Sequence, residues 1–291
     1  MLRIESTRST ASDDAVHMPP ADPIDLPHFP EHRMAQYVEV EDAIKMPGLR
    51  VVLTPGVPGP WSEAAKAILH VKQLRYVKVK QELLGANLPL LRWTAQATAP
   101  VAAWNDEPPR STWIEQLYLF ERLAPQPRLI PQDMDDRMLM FALSNEIVGE
   151  NGFIWNRRHI MVRDFSGPDQ PAEVRESFRF LGRKYWYDET VASAAPGRCA
   201  EVLARLAERL QSQREKGSHY YIGQSITALD IYSACAYALV QPLADDQCVM
   251  GTLFRSVYTT ADPVVKAAAA PIIREHRDFI YREHLELPVE L

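Results

Sequence analysis

Asn151, Trp155 and Arg158 stand at i, i+4 and i+7, the spacing of one helix face. An indole there can stack on a flat molecule, and a guanidinium can meet an anion. The same pattern also suits a core Trp beside a surface Arg. The sulfur chemistry is poorer. Cys199, Cys235 and Cys248 show no CxxC spacing and an odd count, which argues against a disulfide framework or a zinc site and suits a reducing cytoplasm. Cys235 lies in the apolar stretch Ala228 to Val240, as an inert core thiol would. His159 reads as structural, and no His, Asp and Glu cluster has metal-ligand spacing, so no metal is expected. Thr227 and Asp230 have the N-cap and N3 spacing of a capping box, which fixes the start of a helix rather than performing a reaction.

The elements that must position such residues are legible in part. Leu49 to Leu53 is a short β-branched run closed by Thr54-Pro55-Gly56, a strand ending in a turn. Trp61 to Leu74 reads as a helix with Pro60 suited to its first turn. Tyr76 to Lys80 alternates apolar and polar residues, a second strand. Strand, helix and strand in about 30 residues form a βαβ unit with parallel strands. Pro100 to Trp104 is a third strand and Ser111 to Leu123 a helix. Pro125, Pro127 and Pro131 mark a linker over 125–133.

Beyond Asp133 the pattern is helical, with candidates over 133–165, 171–186, 196–216 and 263–285 and a buried helix at 228–240. Residues 1–47 differ: six prolines break any helix, and 4 basic residues face 9 acidic ones. They read as a flexible extension, or as an arm laid over the body or a partner subunit. The rest is nearly neutral, with 28 basic and 29 acidic residues. No basic stripe follows a phosphate backbone, so nucleic acid is not expected. No run of about 18 apolar residues suggests a membrane span, and the opening residues lack the apolar core of a secretory signal.

Two motifs carry a resemblance. Gly223-Gln224-Ser225-Ile226-Thr227-Ala228-Leu229-Asp230 matches the helical-domain cap of the glutathione transferase family, and Ala99-Pro100-Val101 stands where thioredoxin-like folds keep a cis-proline. Pro60-Trp61-Ser62-Glu63 resembles the start of that family's first helix. Ser144 to Glu150, Trp155 to Arg158 and Asp246-Gln247-Cys248 resemble a proteobacterial subgroup of transferase-like proteins. The resemblance covers about 49–285. It implies an α/β thioredoxin-like, glutathione-binding domain over 48–124, an all-helical domain over 133–291, and a homodimer.

The resemblance also implies a chemistry. Glutathione would be the co-substrate, its sulfur held as a thiolate at the start of the first helix for attack on a small hydrophobic electrophile. The family's usual side-chain donor position is occupied here by Gly59. Ser62, Thr54 or backbone amides alone are then the candidates for activating the sulfur. Trp61, Ala99, Pro100, Ser111 and Thr112 would bind glutathione. Ser111 replaces the family's acidic residue, and it could instead simply cap the helix. Asn151, Trp155 and Arg158 would face the second substrate. The alternatives are a catalytically silent glutathione-binding or partner-binding protein, and a reductase or isomerase, which the lack of Cys near Pro60 disfavours.

Overall fold

A computed structural model describes residues 37–291. The first domain is a four-stranded sheet in the order β1 (Tyr37–Val38), β3 (Val77–Lys80), β2 (Leu49–Leu53), β4 (Val101–Trp104). β2 is buried along its whole length because sheet neighbours flank it and helices cover both faces. It runs parallel to β3, with Val51 opposite Lys78, and antiparallel to β4, with Val51 opposite Ala102. The parallel step is made by α2 (Pro60–Val71), which buries Ala64, Ala65, Ile68 and Leu69. α1 (Val40–Ala43) and α3 (Leu88–Thr94) cover the other face, closing a small core of Val40, Ala43, Val52, Val79, Leu90 and Val101.

The expected extension over 1–47 is therefore too long at its C-terminal end. Residues 37–47 join the sheet domain, with Tyr37 and Val38 pairing in parallel with Lys78 and Val79. The cause is a buried Arg50, whose guanidinium donates to the carbonyls of Met46 (2.6 Å) and Ala43 (3.3 Å). The readings of the acidic segment as a flexible extension or an arm fall mainly on residues 1–36, outside the described residues.

After α4 (Trp113–Leu123) the connection is clamped by Lys72. Its buried ammonium pairs with Glu121 at 2.7 Å and donates to the carbonyls of Ala124 and Pro127. The helices that follow are α5 (Met134–Val148), α6 (Phe153–Phe165), α7 (Ala172–Lys184), α8 (Glu189–Glu215), α9 (Ala228–Ala236, continued by a 3₁₀ turn at Tyr237–Leu239), α10 (Thr252–Tyr258), α11 (Pro263–Ala268) and α12 (Pro271–His284). α9 is buried on every side between α2, α5 and α12. One apolar core thus joins Leu53, Ile68 and Phe120 of the first domain to Ile147, Leu229 and Ile231 of the second.

Asp230 starts α9 as its spacing predicts. One carboxylate oxygen accepts from the Thr227 amide and hydroxyl, both at 2.8 Å. The other accepts from the Tyr221 amide at 2.9 Å and lies 3.0 Å from His276 Nε2. Cys199 lies inside α8; like Cys235, it is buried, and desolvation pushes both thiols up to about 12.

Candidate active site

The cleft between the domains is built around the opening of α2. Gly59 is the N-cap and Pro60 the first helical residue, so Pro60 brings no amide. The Glu63 amide bonds to the Gly59 carbonyl at 2.8 Å, which leaves the amides of Trp61 and Ser62 as free donors at the positive end of the helix. Ser62 is buried, and its hydroxyl makes no hydrogen bond to any described residue. Glu63 does not neutralise this end, because it turns away to pair with Lys66 at 2.9 Å.

Thr54 borders the same cleft, but its hydroxyl is committed. It donates to Gln81 Oε1, and Gln81 Nε2 donates in turn to the carbonyl of Ala97 at 3.4 Å. The Ala99–Pro100 peptide is cis, and the Pro100 carbonyl accepts from Gln116 Nε2 at 3.0 Å. Ser111 is half-buried and lines the cleft, while Thr112, not Ser111, caps α4. Thr112 exchanges bonds with Glu115, accepting from its amide at 3.3 Å and donating its own hydroxyl at 2.7 Å; this hydroxyl, with help from amides, holds the Glu115 carboxyl below its ordinary range.

Two cavities meet here. One, of about 410 Å³, runs over Ala99, Pro100, Ser111, Thr112 and Trp113 to Asn145, Glu150 and Trp155. The other, of about 200 Å³, is apolar and reaches from Thr54, Gly59 and Ser62 to Leu84, Phe178, Leu181, Phe254 and Tyr258. Trp61, Ala99, Arg158 and Tyr185 line both. Trp61 ties the domains together, its Nε1 donating to the Val148 carbonyl at 2.8 Å. The Arg158 guanidinium carbon lies 3.9 Å from the Tyr185 ring centroid, 4.6 Å from Trp61 and 5.2 Å from Trp155. Burial lowers its pKa to about 10.

Asn151 does not join Trp155 and Arg158. α6 starts only at Phe153, and Asn151 sits before it in a left-handed turn (φ 58°), exposed, with its side chain accepting from Asn156 at 3.2 Å. The helix face inferred from the spacing thus begins two residues too early. The reason is the turn over Gly149–Gly152: a Cβ on Gly152 would meet the carbonyl oxygens of Asn145, Glu146 and Gly149 at 2.9 Å each, so the chain there is closed against itself.

Sequence reasoning missed Glu150, Asn145, Lys184 and Tyr185. Among the described residues Glu150 is the one carboxylate lining the larger cavity. Its signal was its place in the stretch Ser144 to Glu150, which carried a resemblance without a role. Tyr185 and Lys184, at the end of α7, had no local signal. His159 is buried and stacked at 5.8 Å on Tyr187; burial and the Arg158 charge lower its pKa. Among the described residues no group of three His, Cys, Asp or Glu could hold a metal ion, and no helix is long and apolar enough to cross a membrane.

No protein-family model matches the sequence, and no curated protein matches it. Solved structures do match. A glutathione S-transferase from Methylobacterium radiotolerans, solved with glutathione sulfonate, aligns with a TM-score of 0.56 at 14% identity, over 81% of this chain and 91% of its own. One from Methylobacillus flagellatus, solved with glutathione bound, gives 0.54 at 12% identity, over 81% and 96%. One from the Antarctic clam Laternula elliptica gives 0.53 at 12% identity, over 81% and 89%. The architecture described above is theirs: this chain has the glutathione S-transferase fold, a thioredoxin-like α/β domain followed by an all-helical domain.

Proposed function

We propose that the protein is a glutathione-dependent transferase or lyase acting on an electrophilic small molecule. The observation that carries this reading is the opening of α2. Two free amides, an unengaged Ser62 hydroxyl and an un-neutralised helix end face a cavity that also meets the cis-proline loop. A free thiol titrates near pH ~8.5, and such a set of donors favours its ionised form. Glutathione sulfonate bound to the M. radiotolerans protein and glutathione bound to the M. flagellatus protein support the same ligand class here.

In this reading Ser62 and the amides of Trp61 and Ser62 hold the sulfur, and the Ala99 backbone pairs with the cysteinyl unit. The γ-glutamyl carboxylate lies at the opening of α4, beside Ser111 and Thr112. Glu150, across the cavity, receives the ammonium group that an acidic residue at Ser111 would otherwise meet. The thiolate sulfur attacks an electrophilic carbon of the substrate, which sits in the apolar cavity with Arg158 at its edge, while Trp155 lines the adjoining larger cavity. The leaving group departs with its bonding pair, or a double-bond carbon takes up a proton. Thr54 is a positioning residue, because its only O–H is spent on Gln81.

Two features favour a second reading, a binding protein without turnover: Gly59 and Ser111 lack the side chains that the resemblance leads one to expect. We also propose a homodimer, because Tyr118, Met134 and Met138 are exposed on the neighbouring helices α4 and α5. Three buried free thiols support a cytoplasmic site. The test of the main reading is calorimetric titration with glutathione, followed by rates of thiol addition or displacement over a panel of electrophiles. Binding with turnover sustains it, binding without turnover selects the second reading, and no binding removes both.

A further inference from the structure

Arg158 differs from the other arginines of this protein. Every other arginine that is buried or half-buried in the described residues donates to a carbonyl, carboxylate or hydroxyl oxygen. Arg157, its neighbour, donates to the Leu239 carbonyl at 2.9 Å, and Arg277 to the Gln241 carbonyl at 2.7 Å. Arg158 makes no hydrogen bond and no ion pair to any described residue, and its guanidinium lies over three aromatic rings. Tyr185, Trp61 and Trp155 hold the guanidinium in place while leaving its N–H groups without acceptors.

The guanidinium is half-buried and lines both cavities, so its N–H edge is open to an acceptor that enters the cleft. Among the described residues none supplies one. Tyr185 and Tyr258 are the groups whose charge would favour the Arg158 cation, and both stay protonated because burial raises their pKa. Glu150 lines the larger cavity and forms no ion pair with Arg158. A second positive charge lies close by. Lys184, next to Tyr185, lies close enough for the Arg158 charge to lower its pKa further below what burial alone does; its ammonium donates to the Ala97 carbonyl at 3.5 Å and lies over the Tyr185 ring. Directly beside this positive spot lies the apolar cavity of about 200 Å³, with Leu84, Phe178, Leu181 and Phe254 in its wall.

We propose that the second substrate is an amphipathic organic anion: its carboxylate binds the free N–H edge of Arg158, and its hydrophobic body fills the adjoining apolar cavity next to Ser62. This rests on the transferase reading above and narrows its substrate class. A planar guanidinium fork matches a carboxylate with two parallel hydrogen bonds, which a neutral group cannot reproduce. Arg158 selects and orients the substrate, and the thiolate site at α2 stays separate from it.

The test compares two probes of equal shape, 4-phenylbutanoate and 4-phenylbutanamide, titrated calorimetrically into the full chain with S-methylglutathione present. The expected result is at least a tenfold tighter binding of the acid, falling to within twofold of the amide in Arg158→Met. Arg158→Lys should retain part of the preference. Leu181→Ala should weaken both probes alike and keep their ratio. Equal binding of acid and amide to the unmodified protein overturns the proposal, and this comparison needs no variant to fold. A tenfold loss of S-methylglutathione affinity in Arg158→Met also overturns it, because Arg158 would then hold a glutathione carboxylate. If S-methylglutathione does not bind at all, the transferase reading fails first. A preference for the acid measured in its absence would still show the anion site, but would refute its role as a co-substrate site.

Discussion

Replacing Ser62 by alanine separates the two hydroxyls that the sequence offers for activating a thiol. Ser62 is 7% exposed, and its Oγ makes no hydrogen bond within the described protein, so the change removes no bond that holds the fold. It does remove one of three donors at the opening of α2. A hydrogen bond to an ionised acceptor is worth about 1.5–3 kcal/mol. At about 1.4 kcal/mol per pKa unit, the bound glutathione thiol should rise by roughly 1–2 units. Below that pKa the thiolate fraction, and with it kcat/KM, should fall about 10–100-fold. Above the raised pKa both proteins hold a full thiolate, so the gap must close as pH increases.

Ultraviolet absorbance of the bound thiolate against pH reads this shift directly, and the pH profile of kcat/KM reads it again. Thr54→Val is the matched control. Its hydroxyl is spent on Gln81, so the thiol pKa should stay where it was while glutathione binding loosens through the Gln81–Ala97 link. Gly59→Ser added to Ser62→Ala should restore part of the loss. Gly59 has φ −62° and ψ 121°, open to any residue, and a Cβ there would meet only the Ser62 hydroxyl, at 3.9 Å. A thiol pKa that stays put in Ser62→Ala, or that moves in Thr54→Val instead, would refute this account of the site.

Further expectations follow from single contacts. Glu150→Gln should raise the KM for glutathione up to about 5-fold with kcat unchanged, the scale of one exposed ion pair; an unchanged KM would take Glu150 out of the glutathione site. Asp230→Ala strips four partners from a buried carboxylate and should cost about 3–5 kcal/mol. By calorimetry that is a fall in Tm of roughly 6–20 °C, and a fall under about 2 °C would show the network to be dispensable. Tyr118→Asp with Met138→Asp should give a folded monomer by sedimentation if α4 and α5 form the dimer face; an unaltered assembly would place the interface elsewhere.

What could be read from the sequence was what depends on near neighbours. The apolar run of β2, the alternation of β3 and the Thr227–Asp230 cap are local patterns, and each marks an element that the structure contains. What escaped depends on distance. Residues 37–47 carry the composition of a tail, yet a guanidinium from Arg50 and two pairs of strand residues fix them to the sheet. Asp230 could be seen as a cap, but its contact with His276, 46 residues on, could not. The Gly149 and Gly152 pair was visible in the sequence, but the backbone approach that requires it was not, and so Asn151 was put on a helix that begins after it.

The same distinction explains the chemistry of the cleft. Elsewhere among the described residues, buried and half-buried lysines of the first domain's helices and strands are matched: Lys72 to Glu121, Lys66 to Glu63, Lys78 to Glu290. The Glu63 pair matters most, because a first-turn carboxylate normally offsets the positive end of its helix. Here that carboxylate faces Lys66, so the end of α2 keeps its field for the cleft. Arg158 adds a second unmatched charge to the same space, and burial makes each interaction there stronger than it would be in water. A thiolate at the first and a carboxylate at the second would satisfy two separate demands. The separation matters chemically, because a single anion held between both sites would be stabilised as a ground state, whereas an anchored substrate keeps its electrophilic carbon free to meet the sulfur.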